Sequence, residues 1–135
     1  MSEERVKKIA MEGFARLLGL KLVEREADRV VVIMPYRTDL GVGRIHGGAI
    51  SSLIDTAATA AFWSHPTLSP NARGATVGFT INFLRLAVAT DLTATATVRR
   101  RGGTLSTGDV SVTNADGIEV ATAVVTYKLD SAVSS

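Results

Sequence analysis

The chain has 135 residues, hydrophobic side chains at 46% of its positions and a formal net charge of +2. This length suits one domain with one core, and the hydrophobic content excludes a disordered chain. Its basic residues are spread out apart from Arg99, Arg100 and Arg101, and it has no cysteine, which argues against general nucleic-acid binding and excludes disulfides, thiolate metal sites and cysteine nucleophiles.

The first predicted element is an amphipathic helix over residues 1–18. Its opening residues contain no apolar signal core, so we expect a cytoplasmic protein with no membrane partner. Apolar residues recur at helical spacing on one face: Val6, Ile9, Ala10, Phe14, Leu17 and Leu18. Glu3 and Glu4 at the start and Arg16 near the end match the helix dipole, and Gly19 is the expected stop. This helix should cover an edge or face of a sheet.

Two β-rich runs and a second helix follow. Residues 20–27 and 29–35 predict a hairpin that turns at Ala27 and Asp28. After a loop that contains Gly41 and Gly43, residues 49–63 are nearly all apolar or small, which favours a helix inside the protein. That helix is too short and too polar at its start to span a bilayer.

Four long strands are predicted in the second half of the chain, over residues 74–86, 91–100, 105–113 and 118–129. Strict alternation in the first of them places Val77, Phe79, Ile81 and Phe83 on one face and Thr76, Gly78, Thr80 and Asn82 on the other. Residues 102–103 and 114–117 form hairpin turns, and residues 131–135 should be frayed.

The order of these elements predicts a single antiparallel α+β domain over residues 1–135, in which a sheet wraps a long central helix. One face of such a sheet cannot cover itself. We therefore expect side-by-side self-association of two copies.

Asp55 is the first candidate for chemistry, because it is a carboxylate in the middle of the predicted buried helix. No lysine, arginine or histidine lies within one helical turn of it. Asp55 either pairs with a distant arginine or caps another element, or it serves as general base or nucleophile in a dry cleft. His46 lies nine residues earlier, half a turn off, so the two side chains of one chain cannot form a dyad on this helix. A site built from two chains, or from helix and strand, is favoured.

The start of the same helix offers a second group. Gly47 and Gly48 sit where backbone N–H groups lack helical partners, which suits an oxyanion, although a tight turn would also explain them. His46 orients this loop through its ring or, alternatively, takes part in catalysis. Thr76 is either an ordinary sheet residue or holds a water for Asp55. With only two histidines in the chain, no metal site is expected.

The run His46-Gly47-Gly48, followed by Leu53 and then by Asp55-Thr56-Ala57, resembles the His-Gly-Gly…Asp signature of the PaaI-like hotdog-fold acyl-CoA thioesterases. The resemblance implies a hotdog fold and hydrolysis of an acyl- or aryl-acyl-CoA to a free acid and CoA. It implies no cofactor, since CoA belongs to the substrate. For the self-association expected from the sheet, a homodimer and a homotetramer built as a dimer of dimers both stay open.

The resemblance assigns roles to individual positions. Asp55 becomes the general base or nucleophile, and it faces the Gly47 N–H, joined by Gly48, of the neighbouring subunit. Thr76 becomes the counterpart of the family's serine or threonine that aligns the attacking water. The contacts to substrate and CoA fall on His46, Gly48, Asn82, Phe83, Leu84, Arg85, Arg100, Arg101, Gly102, Gly103 and Thr104. The family usually has an asparagine shortly before the histidine, whereas residues 38–43 contain none. Either Asp39 or a backbone group takes its place, or the thioester carbonyl is held differently.

Two other functions remain open at this stage. A hotdog dehydratase or hydratase would need a histidine and a carboxylate in one site, which the offset between His46 and Asp55 disfavours within one chain. A non-catalytic acyl-CoA-binding domain would bind CoA thioesters without releasing acid. For the arginine run, residues 99–101, a solvated hairpin tip is the alternative to a phosphate contact.

Overall fold

The computed structural model describes residues 2–130, and the predicted frayed tail lies outside them. Residues 2–130 contain three α-helices, six strands and one short 3₁₀ helix, Thr38–Leu40, which lies between the second strand and the third helix. In chain order they are α1 (Ser2–Met11), α2 (Phe14–Leu17), β1 (Lys21–Glu26), β2 (Arg29–Met34), α3 (Gly47–Phe62), β3 (Arg73–Phe83), β4 (Leu92–Arg101), β5 (Leu105–Thr113) and β6 (Glu119–Asp130). The predicted strands and central helix are thus confirmed, with boundaries that shift by a few residues.

The six strands form one sheet in the order β1-β2-β4-β5-β6-β3, and every neighbouring pair is antiparallel. The central helix α3 packs across this sheet and contacts five of its strands. Alanine and valine line the inner face of the sheet, where small side chains let the helix approach closely: Val30, Val32, Ala94, Ala96, Val110, Val112, Ala121 and Ala123 are all buried. The predicted α+β class is confirmed. None of the helices in the described part of the chain is long and apolar enough to cross a bilayer.

The N-terminal segment differs from the single amphipathic helix predicted for it. The helix breaks at Glu12 and Gly13, and Gly13 has a φ of 62°, a left-handed conformation that glycine adopts at little cost. Beyond this break the helical face is not continued, and Phe14 and Leu17 are 61% and 70% exposed instead of lying on the buried face with Val6.

Helix α3 is buried on one side only. Its buried residues fall on one stripe: Ile50, Leu53, Ile54, Ala57, Ala58, Ala60, Ala61 and Phe62. Ser51, Ser52, Asp55 and Thr59 lie along the border of this stripe and beyond it, and they are only half-buried. The helix is therefore not enclosed all round, and its carboxylate residue is half-buried instead of lying in the core.

Strand β3 forms one edge of the sheet and carries a β-bulge. Thr76 pairs with Tyr127, but the next paired residue is Gly78, opposite Thr126, so Val77 is the extra residue. The extra residue shifts the alternation by one position. Thr76 therefore lies on the helix-facing side with Phe79, and the prediction that it shares a face with Gly78 was wrong.

The edge formed by β3 is long and apolar. It has 11 residues, and three of its large apolar side chains, Val77, Phe79 and Phe83, are 59%, 40% and 53% exposed. An exposed edge strand of this length readily pairs with another strand.

Candidate active site

Asp55 and Thr76 form the centre of the candidate site. The Thr76 hydroxyl donates a 2.7 Å hydrogen bond to Asp55 Oδ1. Among residues 2–130, Asp55 Oδ2 has no hydrogen-bond partner, and no lysine, arginine or histidine pairs with the carboxylate. The distant arginine considered from the sequence is not found there. Thr76 thus orients the carboxylate directly, and the second oxygen is free to accept a proton from water.

The start of α3 presents one free backbone donor. His46 is the N-cap residue, and its Nδ1 accepts a 2.7 Å hydrogen bond from the Gly48 N–H. The N–H groups of Ala49 and Ile50 go to the His46 carbonyl. Within the described chain, the Gly47 N–H has no partner. Of the two glycine amides predicted for an oxyanion, Gly47 remains available and Gly48 is occupied.

This arrangement also fixes the histidine. An Nδ1 that accepts a hydrogen bond carries a lone pair, so the ring proton of neutral His46 is on Nε2. His46 therefore acts as a cap that orients the loop, which was the first of its two predicted roles.

Gly47 has no room for a side chain without some adjustment, because a Cβ there would lie 3.3 Å from Phe83 Cζ.

The two groups of one chain are too far apart to act together. Asp55 follows Gly47 by eight residues, which corresponds to about 12 Å along a helix that rises about 1.5 Å per residue. A reacting carbonyl carbon must lie within about 3 Å of both the attacking group and the oxyanion donor. Asp55 and Gly47 of one chain therefore cannot act on the same carbonyl group.

The two segments predicted to contact CoA lie at opposite ends of β3. Phe83 ends the strand beside Gly47, and Leu84 and Arg85 continue from it. Arg85 is held there by a 2.8 Å hydrogen bond from Nη1 to the Glu119 carbonyl. Asn82 points to the outer face of the sheet, opposite Thr122. Within one chain, residues 82–85 therefore lie away from the second predicted segment, residues 100–104.

The second segment is the hairpin between β4 and β5, which contains Gly102, Gly103 and Thr104. It adjoins the start of β3, because Leu105 pairs with Lys128 and Lys128 in turn pairs with Ala75. A Cβ at Gly102 would lie 2.1 Å from the Leu105 carbonyl oxygen, so the tight turn itself requires this glycine.

The three consecutive arginines have three different environments. Arg99 pairs with Asp109 at 3.2 Å on the outer face. Arg101 points inward, where Nε donates to Asp28 Oδ1 at 2.8 Å and Nη2 donates to the Phe62 carbonyl at 2.9 Å. Arg100 is exposed and has no ion pair in the part of the chain that the structure describes. Arg101 therefore ties the end of α3 to the β1–β2 turn, and Arg100 is the arginine free for a phosphate.

Substitution of these arginines should separate the two roles. Arg101→Gln is expected to lower the free energy of unfolding by about 2 kcal/mol, because hydrogen bonds of charged groups contribute about 1.5–3 kcal/mol each. Arg100→Gln should change it by less than about 0.5 kcal/mol. Urea unfolding followed by the fluorescence of Trp63 measures both, and equal losses would contradict the assignment.

The position of the family's missing asparagine is filled by a short helical turn. Asp39 is exposed and accepts a 2.9 Å hydrogen bond from Arg37 Nε, while the Leu40 carbonyl accepts from the His46 N–H at 2.8 Å. Asp39, His46 and Gly48 line the same open hollow of about 420 Å³. Asp39 is thus close to the predicted substrate path, but its carboxylate is already engaged by Arg37.

One cluster near the site was missed in the sequence analysis. Tyr127 is buried, its ring stacks on Phe62 with centroids 5.0 Å apart, and its hydroxyl accepts a 2.7 Å hydrogen bond from Trp63 Nε1. Burial raises the pKa of Tyr127, the Trp63 hydrogen bond acts in the opposite sense, and the charge of Asp55 raises it further. The seven-residue spacing of Asp55 and Phe62 places both on one side of the helix and could have indicated this cluster.

Comparison with known proteins identifies the family. A family model described as the thioesterase superfamily matches residues 42–121, which is more than half of the chain. The chain belongs to the thioesterase superfamily. A presumptive esterase of Halobacterium salinarum is 34% identical over 105 residues, which cover 74% of this chain and 69% of that protein.

Solved structures agree with this assignment. The Escherichia coli PaaI protein, from the phenylacetic acid degradation operon, has a TM-score of 0.78 and 27% identity over 94% of this chain and 92% of that one. A hypothetical thioesterase of Streptococcus pneumoniae, solved with coenzyme A, has a TM-score of 0.73 and 25% identity over 83% and 86%. The sheet that wraps α3 is the hotdog fold, and the predicted fold and family are confirmed.

Proposed function

We propose that the protein is an acyl-CoA thioesterase. The observation that carries the proposal is the Asp55 carboxylate, which is fixed through Oδ1 by Thr76 and free at Oδ2, in a chain whose Gly47 N–H is also free. Membership of the thioesterase superfamily and the similarity to a protein solved with coenzyme A support the choice of substrate.

The chemistry follows from these two groups. Asp55 takes a proton from water, and the resulting hydroxide attacks the thioester carbonyl carbon. The carbonyl oxygen becomes an oxyanion that accepts a hydrogen bond from the Gly47 N–H, where the positive end of the α3 dipole adds stabilisation. Collapse of the tetrahedral intermediate breaks the carbon–sulfur bond, and the CoA thiolate takes up the proton from Asp55. Direct attack by Asp55 would instead form a mixed anhydride that water then hydrolyses.

The proposed site contains groups of two chains that associate through β3. Gly47 lies beside Phe83, and Asp55 lies beside Thr76. If two β3 strands pair antiparallel about a two-fold axis near Phe79, the Thr76 end of one strand meets the Phe83 end of the other. Each Asp55 then faces Gly47 of the partner subunit.

The same two-fold axis joins the two segments predicted for CoA. Residues 82–85 of one chain approach the hairpin residues 100–104 of the other, because these segments adjoin opposite ends of β3. Exposed Arg100 is then available to a phosphate of CoA. Pairing would also cover Val77 and Phe79, whose exposure in a single chain is otherwise unexplained.

Release of free thiol from a panel of acyl-CoAs tests the function. The panel contains short, medium, long and aromatic acyl groups, and wild-type protein is expected to hydrolyse at least one class. Binding of CoA thioesters without thiol release would favour the non-catalytic binding domain instead. Formation of a 2,3-unsaturated or 3-hydroxy product would favour a dehydratase or hydratase, which the occupied Nδ1 of His46 disfavours.

A mixing experiment tests the two-chain site. Asp55→Asn and Gly47→Pro chains, each nearly inactive alone, are dissociated in mild urea, mixed in equal amounts and reassembled. Half of the dimers are then hybrids, and each hybrid has one intact site, so the mixture should regain about a quarter of the wild-type activity per chain. A mixture no more active than its two parents would place both groups in a site within one chain.

A further inference from the structure

Four side chains link the proposed catalytic carboxylate to the cluster at the end of α3. Asp55 and Phe62 lie seven residues, about two helical turns, apart on one side of α3. Thr76 and Tyr127 lie directly opposite each other on β3 and β6. Asp55 contacts Thr76 through a 2.7 Å hydrogen bond, and Phe62 contacts Tyr127 through a stack with planes 9° apart. Two residues on one side of α3, Asp55 and Phe62, therefore contact two residues that are paired across β3 and β6.

Tyr127 has little freedom to move. Its side chain is 3% exposed, and Trp63 Nε1 holds its hydroxyl at 2.7 Å. A Cβ at Gly74 would lie 2.6 Å from the Tyr127 ring, so the ring occupies the space beside β3 that any other residue would fill. The Arg5 guanidinium of α1 lies over the Trp63 ring, 4.6 Å from its centroid, and adds a cation–π contact to it. The end of α3 is thus held to β6 next to Thr76.

This fixed point matters because Thr76 lies at the bulge. The bulge at Val77 is opposite the Tyr127–Thr126 step of β6, and bulges are places where a strand bends. A catalytic group must be held within about 0.5 Å of its productive position. A small movement of α3 along β6 would break the Asp55–Thr76 hydrogen bond, and the Phe62, Trp63 and Tyr127 contacts resist that movement.

We propose that Tyr127, fixed by Phe62 and Trp63, is a positioning residue that determines where Thr76 holds the Asp55 carboxylate. The proposal depends on the proposed thioesterase function, in which Asp55 acts on the substrate. Tyr127 itself does not touch the reacting atoms. The Tyr127 hydroxyl is protonated at neutral pH, as tyrosine ordinarily is, so it adds no second negative charge near Asp55.

A double-mutant cycle tests the proposal. Tyr127→Phe keeps the ring stack and removes the hydroxyl, and Thr76→Val keeps the branched shape and removes the donor to Asp55. We expect each to lower kcat by about tenfold with KM changed less than about twofold. If Tyr127 acts through Thr76, the double variant should be no worse than about 10–20-fold below wild type. Independent losses would multiply to about 100-fold, and that result would overturn the proposal.

A buried substitution elsewhere serves as the control. Val112→Ala opens a cavity in the core on β5 and lowers stability. Val112 pairs with Ala121, six residues along β6 from Tyr127, and is therefore remote from the Thr76–Tyr127 pair. Val112→Ala alone should change kcat little. In the double variant with Thr76→Val, the two fold-changes in kcat should multiply. If Val112→Ala and Tyr127→Phe behave alike in the cycle, Tyr127 has only a structural role and the proposal fails.

A measurement without substrate separates this inference from the proposed function. Trp63 is the only tryptophan, so its indole N–H gives one NMR resonance. Thr76→Val should shift that resonance, whereas Ser52→Ala, on the open side of α3, should not. No shift with Thr76→Val overturns the link between the two contacts. Absence of acyl-CoA hydrolysis by wild type instead overturns the proposed function, and with it any catalytic role for Tyr127.

Discussion

Asp55→Asn is expected to lower kcat for acyl-CoA hydrolysis by about a thousandfold, because a positioned general base contributes about 10²–10⁴-fold. Asparagine keeps the size of the side chain. Its amide oxygen can still accept the hydrogen bond that Thr76 donates to Asp55 at 2.7 Å in the wild type. It cannot take a proton from water or attack the thioester. KM should change little, since the substrate does not depend on this carboxylate for binding.

Thiol release at saturating substrate measures this effect, with Asp116→Asn as the matched control. Asp116 lies in the exposed β5–β6 turn, so the same change of charge there should leave kcat unaltered. An Asp55→Asn protein with full turnover would remove the carboxylate from the mechanism. If Asp55→Asn is inactive as expected, single turnover of the wild type in isotopically labelled water separates the two roles of Asp55. Label found in the Asp55 side chain by mass spectrometry can arise only from direct attack.

Gly47→Pro is expected to lower kcat by about 10²–10³-fold, the loss seen when one oxyanion donor is removed. Proline deletes the Gly47 N–H and leaves the rest of the helix start in place, because proline is well tolerated at the first position of a helix. His46, with φ −63° and ψ 137°, already has the conformation that a residue before proline prefers.

Gly47→Ala is the control for this change. It adds the same Cβ, which would meet the Phe83 ring at 3.3 Å, but it retains the N–H. Alanine should therefore cost less than about tenfold in kcat, and the difference between the two variants isolates the hydrogen bond. Equal activity of the alanine and proline variants would show that the oxyanion is stabilised by another donor.

Much of the fold could be predicted from local patterns. Period-two alternation identified the strands, and a run of small and aliphatic residues identified α3, because both patterns reflect which sides of an element are buried. The helix break at Gly13 was not predicted, since an isolated glycine is compatible with both a continued and a broken helix. Asp55 was identified because a lone carboxylate in an apolar helix requires an explanation.

The details of the site could not be predicted, because they depend on tertiary contacts that the spacing of residues in the sequence does not reveal. The bulge at Val77 reverses the face of Thr76, yet alternation read from the sequence assumes that no residue is inserted. The capture of the Gly48 N–H by His46 depends on one side-chain rotamer. Arg100 and Arg101 are adjacent and chemically identical, and only the packing against the end of α3 distinguishes them.

The eight-residue separation of Gly47 and Asp55 has a consequence for enzyme concentration. In the proposed assembly an isolated chain is inactive, because its Gly47 N–H belongs to one site and its Asp55 carboxylate to the other. The rate per chain should therefore follow the fraction of chains in dimers. Once the protein is diluted below its dissociation constant, the rate per chain should fall in proportion to concentration and the total rate as its square. The contact along β3 would then act as a switch set by expression level, with the same surface serving assembly and catalysis.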